Sequence, residues 1–214
     1  MKTSMVITYY YIDEGTVKMT LDCLDSLQYG RPDEVILVND GTKVDKRLLE
    51  YPGIRYYQRP DNGGYSACVN TGLELCTHDT IIVSNNDIVL TPGWLEGLLE
   101  PLKQGFDISS IRTSDGDGFT TEEKITEGDK FGSLWAMKRS VYEKLGGYDE
   151  SIGKSTHEDL DYRRRALNEG IKIAKNHAAV VEHIGRATLN KVYKNNEDFE
   201  IGRENFIKKH GFIE

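Results

Sequence analysis

Long hydrophobic runs are absent from this sequence of 214 residues. No stretch approaches the roughly 20 consecutive apolar residues that a membrane-spanning helix requires. The first fifteen residues, MKTSMVITYYYIDEG, contain too short an apolar segment for a signal peptide. Linkers, internal repeats and low-complexity segments are absent as well. We therefore expect a cytoplasmic protein with one α/β domain and no transmembrane segment.

Cysteine is also scarce, and basic residues are fewer than acidic ones. The three cysteines, Cys23, Cys68 and Cys76, are an odd number and lie in helix-like apolar patterns. This predicts reduced core thiols and no disulfide framework. Lysine and arginine together number 27, against 35 aspartates and glutamates, which gives a net charge of −8. Because binding to a nucleic-acid backbone depends on basic patches, we expect no general nucleic-acid binding.

What the sequence does contain is a regular alternation of strand and helix patterns. We predict strands over residues 5–10, 34–39, 54–60, 81–83, 107–111 and 131–137, a last strand that ends at His183, and a terminal helix over 198–210. The run EVILVN is almost wholly apolar, which is typical of a central parallel strand. Helices are expected to begin at three capping sites, namely Thr91 followed by Pro92, a capping box of Ser140 and Glu143, and Thr156.

Two of the predicted strands each lead into an acidic residue, Asp40 and Asp87. If these strands are parallel, both carboxylates lie at the edge of the sheet where α/β proteins bind ligands. Asp87 is then either a metal- or phosphate-site residue or the cap of a turn. The pair Gly63 and Gly64 either lets the backbone approach a ligand closely or forms an ordinary turn.

Three features further along the chain also have two interpretations each. Residues 112–129, centred on SDGDGFTTEEK, are either a mobile substrate-covering loop or a surface insertion. Glu158 and Asp159 either carry chemistry or complement the dipole of the helix that they begin. His183 is either a ligand or a hydrogen-bonded histidine at the sheet edge.

In their order, these segments resemble the GT-A glycosyltransferases of family 2, inverting enzymes that use nucleotide-sugar donors. The resemblance runs from residue 6 to about residue 212. The motifs that carry it are VITYYYIDEGTVKMTLDCLDSL, VILVNDGT, RPDNGGYSACVNTGL, SNNDIVLTPGWLEGLL, GSLWAMKRSVYEKLGGYDE, HEDLDYRRRALNEGIKI and VEHIGRAT. The fourth is similar to the DxD region of the rhamnosyltransferase-like branch, with Asn85 in place of the first acidic residue and Asp87 as the last.

The resemblance implies a fold and a division of the chain. The fold would be a Rossmann-like GT-A domain with a mixed, mostly parallel central sheet and helices on both faces. Residues 1–111 would form the nucleotide-binding half, and residues 112–214 the acceptor and catalytic half with its C-terminal helix. The implied donor is a UDP-sugar, ahead of dTDP- and GDP-sugars, and the acceptor is a glycan or another hydroxyl compound. The oligomeric state stays open.

The resemblance also implies a donor site with a divalent cation. Asp87 and His183 would hold Mn²⁺ or Mg²⁺ beside the donor diphosphate. Because Asn85 adds no second charge, binding of the cation without donor should be weak. Asp40 would read the nucleobase. The full set of nucleotide-sugar-binding residues implied is Thr8, Tyr10, Asp40, Arg59, Asn62, Gly64, Asn70, Asn85, Asn86, Gly132 and Ser133.

For catalysis, the resemblance makes Asp159 the general base that takes a proton from the acceptor hydroxyl. Its neighbour Glu158 would orient the acceptor or hold the loop, and Asp161 would point elsewhere on the helix. Three aromatic side chains are expected either to stack on an acceptor sugar or to pack in the core, and these are Trp135, Tyr148 and His157.

Two other functions are compatible with parts of the sequence. A nucleotidyltransferase would need a glycine-rich loop with basic residues after the first strand, where this chain has YYIDEGT. A sugar-nucleotide or glycan-binding module with a decayed site would fit the loss of an acid at Asn85. The presence of both Asp87 and Asp159 favours an enzyme.

Overall fold

A mixed β-sheet forms the centre of the molecule in the computed structural model, which describes residues 1–115, 123–128, 131–154, 156–184 and 197–211. The strands are β1 (Thr3–Tyr9), β2 (Glu34–Asn39), β3 (Arg55–Gln58), β4 (Thr80–Ser84), β5 (Ile88–Val89), β6 (Ile108–Thr113), β7 (Ile125–Glu127), β8 (Leu134–Lys138) and β9 (Ile173–His183).

The helices connect and cover these strands. They are α1 (Glu14–Asp25), which continues into a 3₁₀ turn (Ser26–Tyr29), α2 (Lys46–Leu49), α3 (Tyr65–Leu75), α4 (Trp94–Lys103), α5 (Arg139–Leu145), α6 (Glu158–Asn168) and α7 (Glu197–His210). None of the helices in the described ranges combines the length and the apolar character needed to cross a membrane.

The order of the strands is β3-β2-β1-β4-β8-β6-β9-β5, and β7 also pairs with β9. The first four strands are mutually parallel, whereas β8 runs antiparallel to both β4 and β6. In the parallel register, Tyr9 lies opposite Asn39 and Ile7 opposite Ser84. The carboxyl ends of β1, β2 and β4 therefore share one edge, as predicted for the segments that carry Asp40 and Asp87.

Side chains of the central strands alternate between two hydrophobic clusters, one on each face of the sheet. Ile7 and Leu37 pack with residues of α1 and α4. Val6 and Ile36 pack with residues of α3, α5 and α6. All three cysteines are buried free thiols, which confirms the prediction of reduced core cysteines.

The three predicted helix caps are wrong. The N-cap residues of α4, α5 and α6 are Gly93, Lys138 and His157, and none of them caps its helix through a side chain. Helix α4 begins two residues later than expected, with Gly93 at the N-cap, and the Thr91 hydroxyl donates to the carbonyl of Val180. Helix α5 begins after Lys138 without a side-chain cap. Thr156 donates to the carbonyl of Asp198 at 3.0 Å and so does not cap α6.

The segment 112–129 is described only in part. Residues 123–128 include β7, which pairs antiparallel with β9. The centre of the segment lies outside the described residues, so the two interpretations of it as a covering loop or a surface insertion stay predictions.

Candidate active site

The register of a short strand pair brings Asp87 and His183 together. Ile88, the first residue of β5, lies opposite His183, the last residue of β9. The backbone of the next residue, Ile184, donates to the carbonyl of Asp87 at 3.1 Å. As a result, Nε2 of His183 lies 3.2 Å from Oδ1 of Asp87, at the carboxyl edge of the sheet.

A second carboxylate contacts the other side of the His183 ring. Nδ1 of His183 lies 2.8 Å from Oδ2 of Asp115 and 3.3 Å from Oγ of Ser133. Burial lowers the pKa of His183, but the two nearby carboxylates, Asp87 and Asp115, outweigh it, so that the pKa is raised. Asp115 was not among the predicted site residues, since its position after β6 gave no sign that it would reach His183.

Three buried polar atoms at this edge make no well-aligned hydrogen bond to any described residue. These atoms are Oδ1 of Asn85, Oδ1 of Asp87 and Nε2 of His183, and the last two face each other at 3.2 Å. Asn85 is fixed by its backbone N–H, which donates to the carbonyl of Ser133 at 2.9 Å. Buried polar groups are rarely left unpaired. The poor alignment of these three atoms favours a polar ligand at this edge.

A divalent cation fits this set of atoms. A carboxylate oxygen and an imidazole nitrogen are ligands that Mn²⁺ accepts. No group of three or more His, Cys, Asp or Glu side chains in the described part of the chain is arranged to hold a metal. Substrate phosphates and water would have to supply the other ligands, as is usual for Mg²⁺-type sites.

Asn86, in contrast, makes a contact within the protein. Its side chain is buried, and its Nδ2 donates to the hydroxyl of Thr20 on α1 at 2.8 Å. This contact fastens the turn between β4 and β5, in which Asn86 lies, to α1. A role of Asn86 in binding a nucleotide sugar stays a prediction.

Asp40 is held in place by the turn that precedes α3. Its two oxygens accept the backbone N–H groups of Gly63 at 3.1 Å and Gly64 at 2.9 Å, and Nε of Arg59 lies 3.0 Å from Oδ1. Burial raises the pKa of Asp40, which these donors only partly offset. Its role in reading the nucleobase stays a prediction.

Arg59 and Asn70 make contacts that brace the fold, and their roles in donor binding stay predictions. The guanidinium of Arg59 donates to the carbonyl of Ala67 and the hydroxyl of Thr71, both on α3. The amide of Asn70 donates to the carbonyl of Tyr148 at 3.0 Å and accepts its backbone N–H at 2.8 Å. The polar groups of these two side chains are therefore used within the protein.

The other predicted donor residues lie near the same edge in varied settings. Asn62 is exposed and accepts the N–H of Gly64, whose φ of 86° needs a glycine. Thr8 is buried in β1, and Tyr10 follows that strand half-buried. Gly132 is exposed, with open space where a side chain would stand. Roles of these residues in donor binding stay predictions.

The catalytic segment proposed from the sequence begins α6. Glu158 is buried, and its Oε2 has no hydrogen-bond partner among the described residues. Burial and the charge of Asp159 raise the pKa of Glu158 to about 8. Asp159 is half-buried and accepts the N–H of Leu160 at 2.8 Å. Asp161 is fully buried and contacts Arg165 on the same helix at 2.8 Å, so it faces elsewhere, as expected.

The three aromatic candidates for acceptor stacking pack inside the protein. Trp135 has no exposed surface, and its ring lies 4.7 Å from Phe131 between centroids. Tyr148 packs edge-on against Tyr162 at 5.5 Å. The His157 ring is also buried, against α7. Of the two interpretations given for these side chains, core packing is the one that the structure supports, because no ring face is open to a sugar.

Tyr65 was missed in the sequence as a residue near the acidic side chains of the site. Its pKa is raised well above the usual range, first by burial, then by the charges of Glu158 and Asp159, and more weakly by Asp87. The tyrosine therefore lies within electrostatic range of these three carboxyl groups. The available signal was its position as the first residue after the pair of glycines that opens α3.

Comparison with known proteins gives a match over most of the chain. Residues 4–150 match the sequence profile of Glycosyl transferase family 2. Polypeptide N-acetylgalactosaminyltransferase 8 of Drosophila melanogaster is 26% identical over 191 residues, in an alignment that covers 70% of this chain and 32% of that protein. The chain thus spans about a third of the length of this relative.

Two solved structures share the architecture. One is GalNAc-T7 with UDP, GalNAc and Mn²⁺, with a TM-score of 0.72, 14% identity, and coverage of 85% of this chain and 43% of that one. The other is the mannosyltransferase PcManGT from Pyrobaculum calidifontis in complex with GDP-Man and Mn²⁺. Its TM-score is 0.74 at 14% identity, and the alignment covers 100% of this chain and 65% of that one. The fold is that of the GT-A glycosyltransferases, as the sequence predicted.

Proposed function

Glycosyl transferase family 2 is the family to which this chain belongs, and on that premise we propose an inverting, Mn²⁺-dependent transferase. It would move a sugar from a nucleotide-diphosphate sugar, with a UDP-sugar as the first choice, to an acceptor hydroxyl. The observation that carries the proposal is the group of three buried polar atoms on Asn85, Asp87 and His183, none of which makes a well-aligned hydrogen bond to a described residue. The family match argues against the nucleotidyltransferase alternative.

Asp87 and His183 are the residues that would hold the cation. Bound there, Mn²⁺ would supply Lewis-acid stabilisation of the negative charge that develops on the leaving diphosphate. The two structural neighbours hold Mn²⁺ together with UDP or GDP-Man, which supports this choice. The pattern Asn85, Asn86, Asp87 supports a place in the rhamnosyltransferase-like branch.

The other end of the site supplies the base. Asp159 takes the proton of the acceptor hydroxyl while that oxygen attacks the anomeric carbon from the face opposite the diphosphate, which inverts the configuration. Positioned proton transfer of this kind contributes about 10²- to 10⁴-fold to the rate. Glu158, with its pKa of about 8, stays protonated at neutral pH. It therefore adds no second negative charge beside Asp159 and can donate a hydrogen bond to the acceptor.

A thermal-shift panel tests the donor site before any acceptor is known. The protein is melted with Mn²⁺ plus UDP, GDP, dTDP or the corresponding sugar nucleotides. A ligand at 100 times its Kd adds about 2.7 kcal/mol of stability, which for a chain of this size raises Tm by roughly 5–10 °C. We expect the largest shift with UDP compounds, and Asp87→Asn should remove the part that depends on Mn²⁺. If no nucleotide raises Tm, the donor site is wrong.

One observation favours a second candidate, a catalytically weak sugar-nucleotide or glycan-binding module. Asn85 stands where the family pattern has an acid, so the site holds one acidic side chain fewer for the cation. Release of UDP from UDP-sugars with water as acceptor separates the two functions. An enzyme shows Mn²⁺-dependent release that Asp87→Asn abolishes, whereas a binding module shows a thermal shift without release.

A further inference from the structure

The backbone of His157 is strained at the point where the chain enters α6. Among the described residues, His157 is the only one other than glycine with a positive φ, at 65°. A left-handed conformation is uncommon for residues other than glycine. His157 is the N-cap of α6, directly before Glu158 and Asp159. Such strain persists only where the surrounding structure imposes it, and it is concentrated at functional sites.

Helix α7 supplies the surroundings that impose this conformation. The ring of His157 lies 4.8 Å from that of Phe199 and 6.2 Å from that of Phe206, measured between centroids. The backbone of α7 approaches closely at Gly202, where an added Cβ would stand 2.8 Å from the carbonyl oxygen of Thr156 and 3.1 Å from Nδ1 of His157. A side chain at position 202 would therefore push the two segments apart.

Polar contacts tie α7 to the chain on both sides of the two acidic residues. On the N-terminal side, Asp198 accepts the backbone N–H of Lys154 at 3.2 Å and the hydroxyl of Thr156 at 3.0 Å. On the C-terminal side, Lys209 lies 2.7 Å and His210 lies 2.8 Å from Oδ1 of Asp161. The segment with Glu158 and Asp159 is thus fastened to α7 at both of its ends.

We propose that His157 is a positioning residue. Helix α7 holds it in the left-handed conformation, and this turn of the backbone directs Glu158 and Asp159 toward the acceptor hydroxyl. The inference rests on the proposed function, in which these two residues act on the acceptor. It also gives the C-terminal helix a task in catalysis, although α7 contributes no group to the reaction.

A pair of substitutions at His157 separates backbone conformation from the loss of the ring. Valine is strongly disfavoured in the left-handed region, whereas asparagine is among the residues that tolerate it. Turnover is measured as UDP release from UDP-glucose, UDP-galactose and the two UDP-N-acetylhexosamines with Mn²⁺, at a temperature where circular dichroism shows a folded protein. We expect His157→Val to lower kcat about 10- to 100-fold through misplacement of the base, and His157→Asn to recover most of it.

Binding of UDP in the presence of Mn²⁺, measured by calorimetry, is the second readout. The donor site is built on other elements, so the Kd for UDP should change by less than about twofold in both variants. A tenfold change in Kd would correspond to roughly 1.4 kcal/mol. Ile201→Ala is the matched control on α7, because Ile201 is 53% exposed, and it should leave kcat and Kd unchanged. If His157→Val does not fold, Gly202→Ala replaces it with the same expectation, because the added Cβ would stand 2.8 Å from the carbonyl oxygen of Thr156 and push α7 away from His157.

Wild-type kcat in the folded His157→Val variant overturns the proposal, and so does a loss of UDP affinity in proportion to kcat. The Asp159→Asn variant shows whether the positioning role of His157 has failed or the proposed function itself. If Asp159→Asn keeps full turnover, the proposed function is wrong. If Asp159→Asn is inactive while His157→Val is fully active, only the positioning role is wrong.

Discussion

His183 lies between two carboxylates, one at each nitrogen of its ring. Asp87 contacts Nε2, the nitrogen that would bind a cation, and Asp115 contacts Nδ1 at 2.8 Å. Metal-binding histidines usually donate their other N–H to such a carboxylate, which fixes the tautomer and the orientation of the ring. Asp115 therefore belongs to the site, although it would not touch the cation.

The first prediction concerns this contact. Asp115→Asn removes the charge that favours a proton on Nδ1, so the affinity for Mn²⁺ in the presence of UDP should fall about 10- to 100-fold. Titration of Mn²⁺ followed by electron paramagnetic resonance measures the affinity directly. Asp22→Asn, at an exposed carboxylate paired with Lys18, is the control. Equal Mn²⁺ affinity in the wild type and Asp115→Asn would contradict this role.

The second prediction separates the two neighbouring acids of α6. Asp159→Asn should lower turnover about 10²- to 10⁴-fold because the base is lost, with UDP binding unchanged. Glu158→Gln should retain most of the activity at neutral pH, since glutamine has nearly the shape of the protonated carboxyl. Turnover and UDP affinity are measured for both variants. A larger loss in Glu158→Gln than in Asp159→Asn would assign the base to Glu158.

Among the secondary structure elements, α6 and α7 are joined by buried charges. Asp161 is fully buried and contacts Arg165, Lys209 and His210. Burial raises the pKa of Asp161, but its hydrogen bonds from these partners outweigh burial, so that the pKa is lowered. The contact fastens the C-terminal end of α7 to the helix that carries the proposed base.

The third prediction is that Asp161→Ala destabilises the protein strongly. Removal of the buried carboxylate leaves the partly buried Arg165 and His210 without their acidic partner, and breaking a buried pair in this way typically costs about 3–5 kcal/mol. Asp22→Ala breaks an exposed pair with the same spacing of four residues, Lys18 and Asp22, and should cost less than about 1 kcal/mol. Urea denaturation of both variants gives the comparison. Similar losses would show that the buried cluster adds nothing particular to the docking of α7.

For the molecule as a whole, the buried Glu158 makes stability depend on pH. Its pKa is raised from the ordinary 4.5 to about 8 in the folded state. Between these two values the folded protein binds more protons than the unfolded chain, so its stability falls as the pH rises. The contribution of Glu158 is complete below pH 4.5 and is lost as the pH passes 8.

The fourth prediction follows from this loss of stability with rising pH. The free energy of unfolding of the wild type, minus that of Glu158→Gln, should fall by a few kcal/mol between about pH 4.5 and pH 8. Urea denaturation of both proteins at pH 5, 6.5 and 8 measures the difference, in which groups common to both cancel. A difference that stays constant across this range would mean that Glu158 ionises normally.

Much of the architecture could be predicted from the sequence because it follows from local patterns. The apolar run of β2 and its neighbours gave a parallel sheet, and that arrangement placed the segments of Asp40 and Asp87 at one edge. The predicted strands and the terminal helix lie close to the observed elements. Periodic burial of side chains determines these features, and it is visible in the order of residues alone.

The partners of polar side chains were decided only by tertiary contacts. Thr91 and Thr156 have the chemistry of helix caps, yet their hydroxyls bond residues that are 89 and 42 positions away. Asn86 faces α1, and Asp115 reaches His183. A polar group pairs with whichever partner the folded chain brings within about 3 Å. The sequence therefore determined which elements form and at which edge they end, and the packing of those elements determined which side chains face the site.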